Sequence, residues 1–258
     1  MKKRIAALGL AATVLFGAAA AAQTAKPTIV LVHGAFADSS SWDGVVRILE
    51  RDGYHVVAAA NPLRSVRSDT QYVSDILSSI PSSVVLVGHS YGGMVISSAA
   101  SGHANVTALV YVSAFAPEVG ESAADLAGKF PGSTLGSALA APVSLADGNR
   151  DLYIQQERFR DQFAADVAPG EAALMAAGQR PITELALNEK SDAAIWKTIP
   201  SWFVYGDKDK NIPPAALAYM AERAHAKERE VIKGASHVVM VSHPNVVARV
   251  IEDAASGK

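Results

Sequence analysis

Cysteine is absent from all 258 residues, which excludes disulfide staples, a lipidated cysteine anchor and thiolate chemistry. Charge is scarce too. Charged residues make up 19% of the chain and the formal net charge is -2. Beyond the first few residues there is neither a Lys/Arg cluster nor an acidic run, so nucleic acid and anionic lipid are not expected as partners. Long apolar runs are confined to one place: Lys2, Lys3 and Arg4 lead into Ile5 to Ala22, and polar Gln23 and Thr24 follow. A basic start, an apolar middle and the small-residue end Ala20-Ala21-Ala22 form the pattern of a cleaved secretory signal. The expectation is a signal peptide at 1–22 and a periplasmic or secreted domain at 23–258, with no stable membrane anchor after cleavage. A mature chain of that length is enough for one substantial core.

What is present after the signal is an alternation. Thr28 to Val32, His55 to Ala60, Val84 to Val87, Thr107 to Ser113, Trp202 to Tyr205 and Glu230 to Ile232 read as six strands. Helical patterns lie between or after them, at Ser41 to Arg51, Thr70 to Ile80, Tyr91 to Ser101, Pro214 to about His225, and from Pro244. The Val/Leu/Ile runs do not alternate with polar residues, as expected of parallel strands covered on both faces. From about 116 to 198 the pattern breaks. That stretch carries helical pieces at Asp151 to Val167 and Glu171 to Gln179, five prolines and no evident strand. Its aromatic residues, Phe130, Tyr153, Phe159, Phe163 and Trp196, argue for a packed helical cap rather than a linker. The segment around Arg64 and Arg67 reads as a solvated loop.

The segment Gly88-His89-Ser90-Tyr91-Gly92-Gly93 stands where a strand pattern gives way to a helix pattern. A serine on so tight a turn needs a strained backbone and minimal side chains two residues away on either side, which Gly88 and Gly92 supply. The helix starting at Tyr91 directs backbone N–H groups toward the space where an oxyanion would form. Serine is a weak nucleophile unless a base takes its proton and an acid orients that base. Among seven histidines, His237 lies just past the last strand and is preferred over His243 as the base. Asp207 and Asp209 both follow the strand Trp202 to Tyr205, and spacing does not choose between them. No His-x-x-x-His or comparable cluster occurs, and no metal or other cofactor is expected.

The stretches LVHGAFADSSSW, LVGHSYGG, ALVYVSAFAP, YGDKDKNIP and GASHVVMVSHP together resemble the α/β-hydrolase-fold serine hydrolases. Within them the chain is similar to the branch holding plant methyl-ester esterases, hydroxynitrile lyases and bacterial exported esterases. The resemblance implies an α/β fold with a mostly parallel sheet of about six strands, flanked by helices and carrying an inserted cap. It selects Asp209 as the acid, and it implies oxyanion donors at the backbone N–H groups of Ala35 and Tyr91. The triad expected is thus Ser90, His237 and Asp209, with hydrolysis of a small-molecule carboxylic ester as the default reaction. Plant lyases of this branch carry threonine after the first histidine and lysine after the catalytic one; Gly34 and Val238 stand here, so lyase activity is demoted, while perhydrolysis and a purely ligand-binding role stay as alternatives. The pocket is expected to be apolar and lined by Phe36, Phe115 and Val238, with Trp42 and Met94 assigned to the core. No Lys or Arg is placed near the elbow, which points to neutral esters, and the resemblance favours small alkyl or aryl ones. Oligomeric state is left open.

Overall fold

The computed structural model describes residues 26–258, so the segment read as a signal peptide lies outside the described residues. Six strands form one all-parallel sheet: β1 (Thr28–Val32), β2 (Val56–Ala59), β3 (Val84–His89), β4 (Val106–Val112), and, after the cap strands, β8 (Ser201–Gly206) and β9 (Glu228–Ile232). Their order is β2-β1-β3-β4-β8-β9. Strands β1, β3 and β8 are buried along their whole length, as is β4 apart from Thr107, which is why their sequences are continuous rather than alternating. Edge strand β9 does alternate, and Glu228 and Glu230 on it pair with Arg249 at 2.9 and 2.7 Å. Charges on an exposed strand edge oppose pairing with another chain.

Helices cover both faces. On one side α1 (Asp43–Arg51) packs against the C-terminal helix α11 (Pro244–Ser256), and on the other α2 (Val66–Ser78) packs against α3 (Gly92–Ala99). Helix α9 (Pro214–Arg223) lies on β8, and α10 (Val239–Ser242) leads into α11. No helix among the described residues is long and apolar enough to cross a membrane. The strand order places β1 between β2 and β3, so the chain reverses its direction of travel across the sheet between β2 and β3. Parallel sheets gather ligands at such a switch point, beyond the carboxyl ends of the two strands involved. Here those ends are the start of His33-Gly34-Ala35 and the Ser90 turn.

The cap differs from a purely helical one. It holds α4 (Ala123–Gly128), α5 (Leu135–Ala138), α6 (Gln156–Phe163), α7 (Pro169–Gly178) and α8 (Glu184–Asn188), but also a small antiparallel sheet of β5 (Val143–Ser144), β6 (Arg150–Leu152) and β7 (Ile182–Thr183). Strands of two or three residues are too short to show a period. A turn signal was nevertheless present: Asp147-Gly148 sits in the β5–β6 connection, with Gly148 at φ 86°. Phe159 and Phe163 are fully buried, so the cap is packed as expected. The Arg64 segment is not a free loop. Its guanidinium donates to Asp151 Oδ1 at 2.6 Å and to the Pro181 carbonyl at 2.7 Å, while the Thr183 hydroxyl donates to the Arg64 carbonyl. The segment therefore clamps the small sheet onto the main domain.

Candidate active site

Ser90 follows β3 with φ at 53°, a left-handed backbone that a non-glycine residue adopts only under constraint. The constraint is visible. Ser90 N–H donates to the Val112 carbonyl at 3.2 Å, and the Ser90 carbonyl accepts from Gly93 and Phe115 N–H groups at 3.0 and 3.1 Å. The glycines account for the space. A Cβ on Gly88 would sit 2.7 Å from the Gly92 carbonyl oxygen, and one on Gly92 would sit 2.4 Å from that of Val32. Gly93 is under still greater demand, with 2.0 Å to the Phe115 oxygen, although the serine motif itself drew attention only to its two neighbours.

Gly34 brings the β1 loop against the elbow: a side chain there would meet His89 O and Ser90 Cβ at 2.6 Å, and Tyr91 N at 3.0 Å. Ala35 and Tyr91 consequently line one cavity with Ser90. Among the described residues neither their Ala35 nor their Tyr91 backbone N–H is taken up by a protein acceptor, whereas the next N–H along, that of Phe36, donates to the Arg180 carbonyl of the cap.

From the other side of the sheet come His237 and Asp209. The β8 turn and the loop after β9 touch at Gly206, where an added Cβ would lie 2.2 Å from the Ala235 oxygen. His237 Nδ1–H donates to Asp209 Oδ2 at 2.6 Å, with both side chains essentially inaccessible to water. Asp209 Oδ1 accepts from the backbone N–H groups of Asn211 and Ile212 at 2.8 and 3.0 Å, which fixes the carboxylate. Asp207 points elsewhere and accepts from Gly234 N–H. Of the two aspartates it is Asp209 that is hydrogen-bonded to His237. His237 Nε2 has no hydrogen-bond partner within the protein; it and the Ser90 hydroxyl line the same cavity without being bonded to each other.

That cavity has a volume of about 210 Å³. Its wall is mostly apolar, with Phe36, Phe115, Phe163, Leu135, Leu139 and Ile212 among the lining, and among the described residues no Asp, Glu, Lys or Arg lines it. Phe36 and Phe115 both line it. Val238 does not: it is fully buried and starts the turn that carries the chain into α10, so its side chain packs in the core rather than on the cavity. Trp42 and Met94 are fully buried core residues.

Several supporting groups escaped the sequence. His89 Nε2–H donates to the His237 carbonyl at 3.4 Å, and the two rings lie 4.8 Å apart. Burial holds the His89 imidazole well below its ordinary pKa, with the neighbouring His237 adding to the effect, so it stays neutral. His33, buried beneath the Gly34 loop, is likewise lowered by burial, to about 4. Phe163 from α6 packs its ring 5.1 Å from that of His237. Tyr91 O–H donates to the buried Asp69 carboxylate at 3.0 Å. Each of these pairs joins residues distant in sequence or depends on the cap's exact seating, so no local signal foretells it.

Residues 29–250 match the profile of the Alpha/beta hydrolase family. A pyrethroid hydrolase from Sphingobium wenxiniae is 30% identical over 244 residues, covering 87% of this chain and 86% of the relative. An alpha-hydroxynitrile lyase from Arabidopsis thaliana is 26% identical over 241 residues, covering 85% and 93%. The crystal structure of polyneuridine aldehyde esterase superposes with a TM-score of 0.76 at 21% identity, over 88% of this chain and 98% of that one, a likeness of fold.

Proposed function

The chain belongs to the Alpha/beta hydrolase family, and from that premise we propose that it hydrolyses small neutral carboxylic esters through an acyl-enzyme formed on Ser90. The observation that carries the reading is the buried Asp209–His237 pair at 2.6 Å: His237 Nε2 has no partner within the protein, and His237 lines one cavity with Ser90. In the acylation step His237 Nε2 takes the Ser90 proton as Oγ attacks the ester carbonyl, and it returns that proton to the departing alcohol. A water, deprotonated by the same nitrogen, then attacks the acyl carbonyl, and the proton passes from His237 to Ser90 Oγ as that bond breaks and the acid leaves. Asp209 holds the imidazole in the tautomer with a proton on Nδ1 and stabilises its charged form. The Ala35 and Tyr91 N–H groups serve the oxyanion, at a worth on the order of 3 kcal/mol each.

Neutral substrates follow from a lining without a fixed charge, since an ionised substrate group would be desolvated there without a partner. Esterases and a pyrethroid hydrolase among the relatives support ester cleavage. A lyase reaction has less support despite the Arabidopsis relative: in this backbone Gly34 leaves no room for a threonine, and the residue after His237 is a buried valine rather than a cation that could hold departing cyanide. The signal-like sequence of residues 1–22 supports the further reading that the enzyme works in the periplasm or outside the cell. The test is release of para-nitrophenol from acetate, butyrate and octanoate esters by the mature protein beside Ser90→Ala. Turnover that vanishes in the variant and declines with chain length is expected. Absence of serine-dependent turnover on every ester would overturn the reading.

A further inference from the structure

A second cavity, of about 420 Å³, lies between the Asp38–Arg47 segment and cap helix α7. Its lining is mixed: Ala37, Met175, Val241 and Leu174, the last at the rim with 76% of its surface exposed, form an apolar strip, and Asp38, Asp43, Arg47 and Glu171 stand around it. Phe36 is the one residue that lines both this groove and the Ser90 cavity. It is held there in an unusual way. Its φ is 60°, a left-handed backbone that costs a bulky aromatic side chain energy, and its N–H is tied to the Arg180 carbonyl of the cap. Its ring meets the edge of Phe163 at 6.1 Å, and Phe163 in turn packs on His237. That backbone carries the N–H to the cap while the residue stands at the junction of the two spaces.

We propose that Phe36 is a specificity-determining partition that confines the ester's alkyl arm to the Ser90 cavity, and that the groove beside α7 is the space a longer arm would occupy once the partition is removed. The proposal rests on the esterase reading, deepening it by naming what sets substrate length. Each methylene drawn from water onto the groove's apolar strip is worth up to about fourfold in affinity, so opening a path for two of them shifts length selectivity on the order of tenfold.

The experiment has a turnover arm and a binding arm. In the first, kcat/KM is measured for para-nitrophenyl octanoate against acetate, and for octyl against ethyl acetate, in wild type, Phe36→Ala and Phe36→Ala/Leu174→Asp. At least one long-to-short ratio should rise about tenfold in the single variant and fall back when the groove's apolar strip is charged at Leu174. In the second, calorimetry follows octanamide binding to Ser90→Ala with and without Phe36→Ala, where nothing turns over; the added variant should tighten it by about tenfold. Phe36→Leu serves where the alanine variant does not fold, with a smaller shift in the same sense. Unchanged ratios and unchanged octanamide affinity, or a gain that survives Leu174→Asp, overturn the partition. If octanamide binding responds to Phe36 while no ester shows serine-dependent hydrolysis, the esterase reading fails and the partition stands.

Discussion

Replacing Asp209 by asparagine changes one oxygen for an NH2 group at the most constrained contact of the site. The side-chain carbonyl can still accept from Asn211 and Ile212, so the amide nitrogen is left facing His237 Nδ1 across 2.6 Å. Two donors cannot share that contact, and the imidazole must surrender its Nδ1 proton and carry it on Nε2. A base with its proton on the working nitrogen cannot activate Ser90. The expected loss in kcat is on the order of 10⁴, the effect of the wrong tautomer in such a triad, or about 5.5 kcal/mol of barrier. Asp207→Asn alters a contact to Gly234 N–H that an amide carbonyl can also make, and should stay within about threefold. Stopped-flow measurement of para-nitrophenyl acetate turnover, with circular dichroism to verify folding, reads both variants. Equal losses in the two, or an Asp209→Asn enzyme within tenfold of wild type, would refute the tautomer argument.

Stability should fall on mild acidification because buried His33 and His89 resist protonation in the fold: their native pKa values are depressed, the unfolded chain takes up protons first, and stability present above about pH 6.5 is lost as pH falls, down to about 4 for His33. Urea midpoints at pH 7.5 and 5.0 measure this, and a flat profile would contradict it. Gly93→Ala should cost at least about 3 kcal/mol or prevent folding, because its Cβ would lie 2.0 Å from a backbone oxygen, whereas Gly170→Ala, with open space around it at the start of α7, should gain about 0.5 kcal/mol; denaturant melts compare them. Tyr91→Phe removes a hydrogen bond to the buried Asp69 carboxylate and should lower the unfolding free energy by about 1–3 kcal/mol, read in the same melts.

Much of the architecture was legible in residue order. Continuous apolar runs such as Val84–Val87 announced strands buried on both faces, and Gly88 and Gly92 announced the turn between them, because steric demands at a tight strand-to-helix junction are local. Ser90 and His237 were singled out as candidates by their positions just past strand ends. Other features arise only where distant segments meet. The resemblance selected Asp209, but the physical difference from Asp207 lies in which way two carboxylates turn, one toward His237 and the other toward Gly234. Val238 was assigned to the pocket, yet the turn it begins carries it into the core. The short cap sheet, the Arg64 clamp and the neutral His89 under His237 all arise from contacts between residues far apart in the chain. Sequence determines periodicity and turn geometry because these act over a few residues; side-chain orientation and burial are settled by packing across the whole fold.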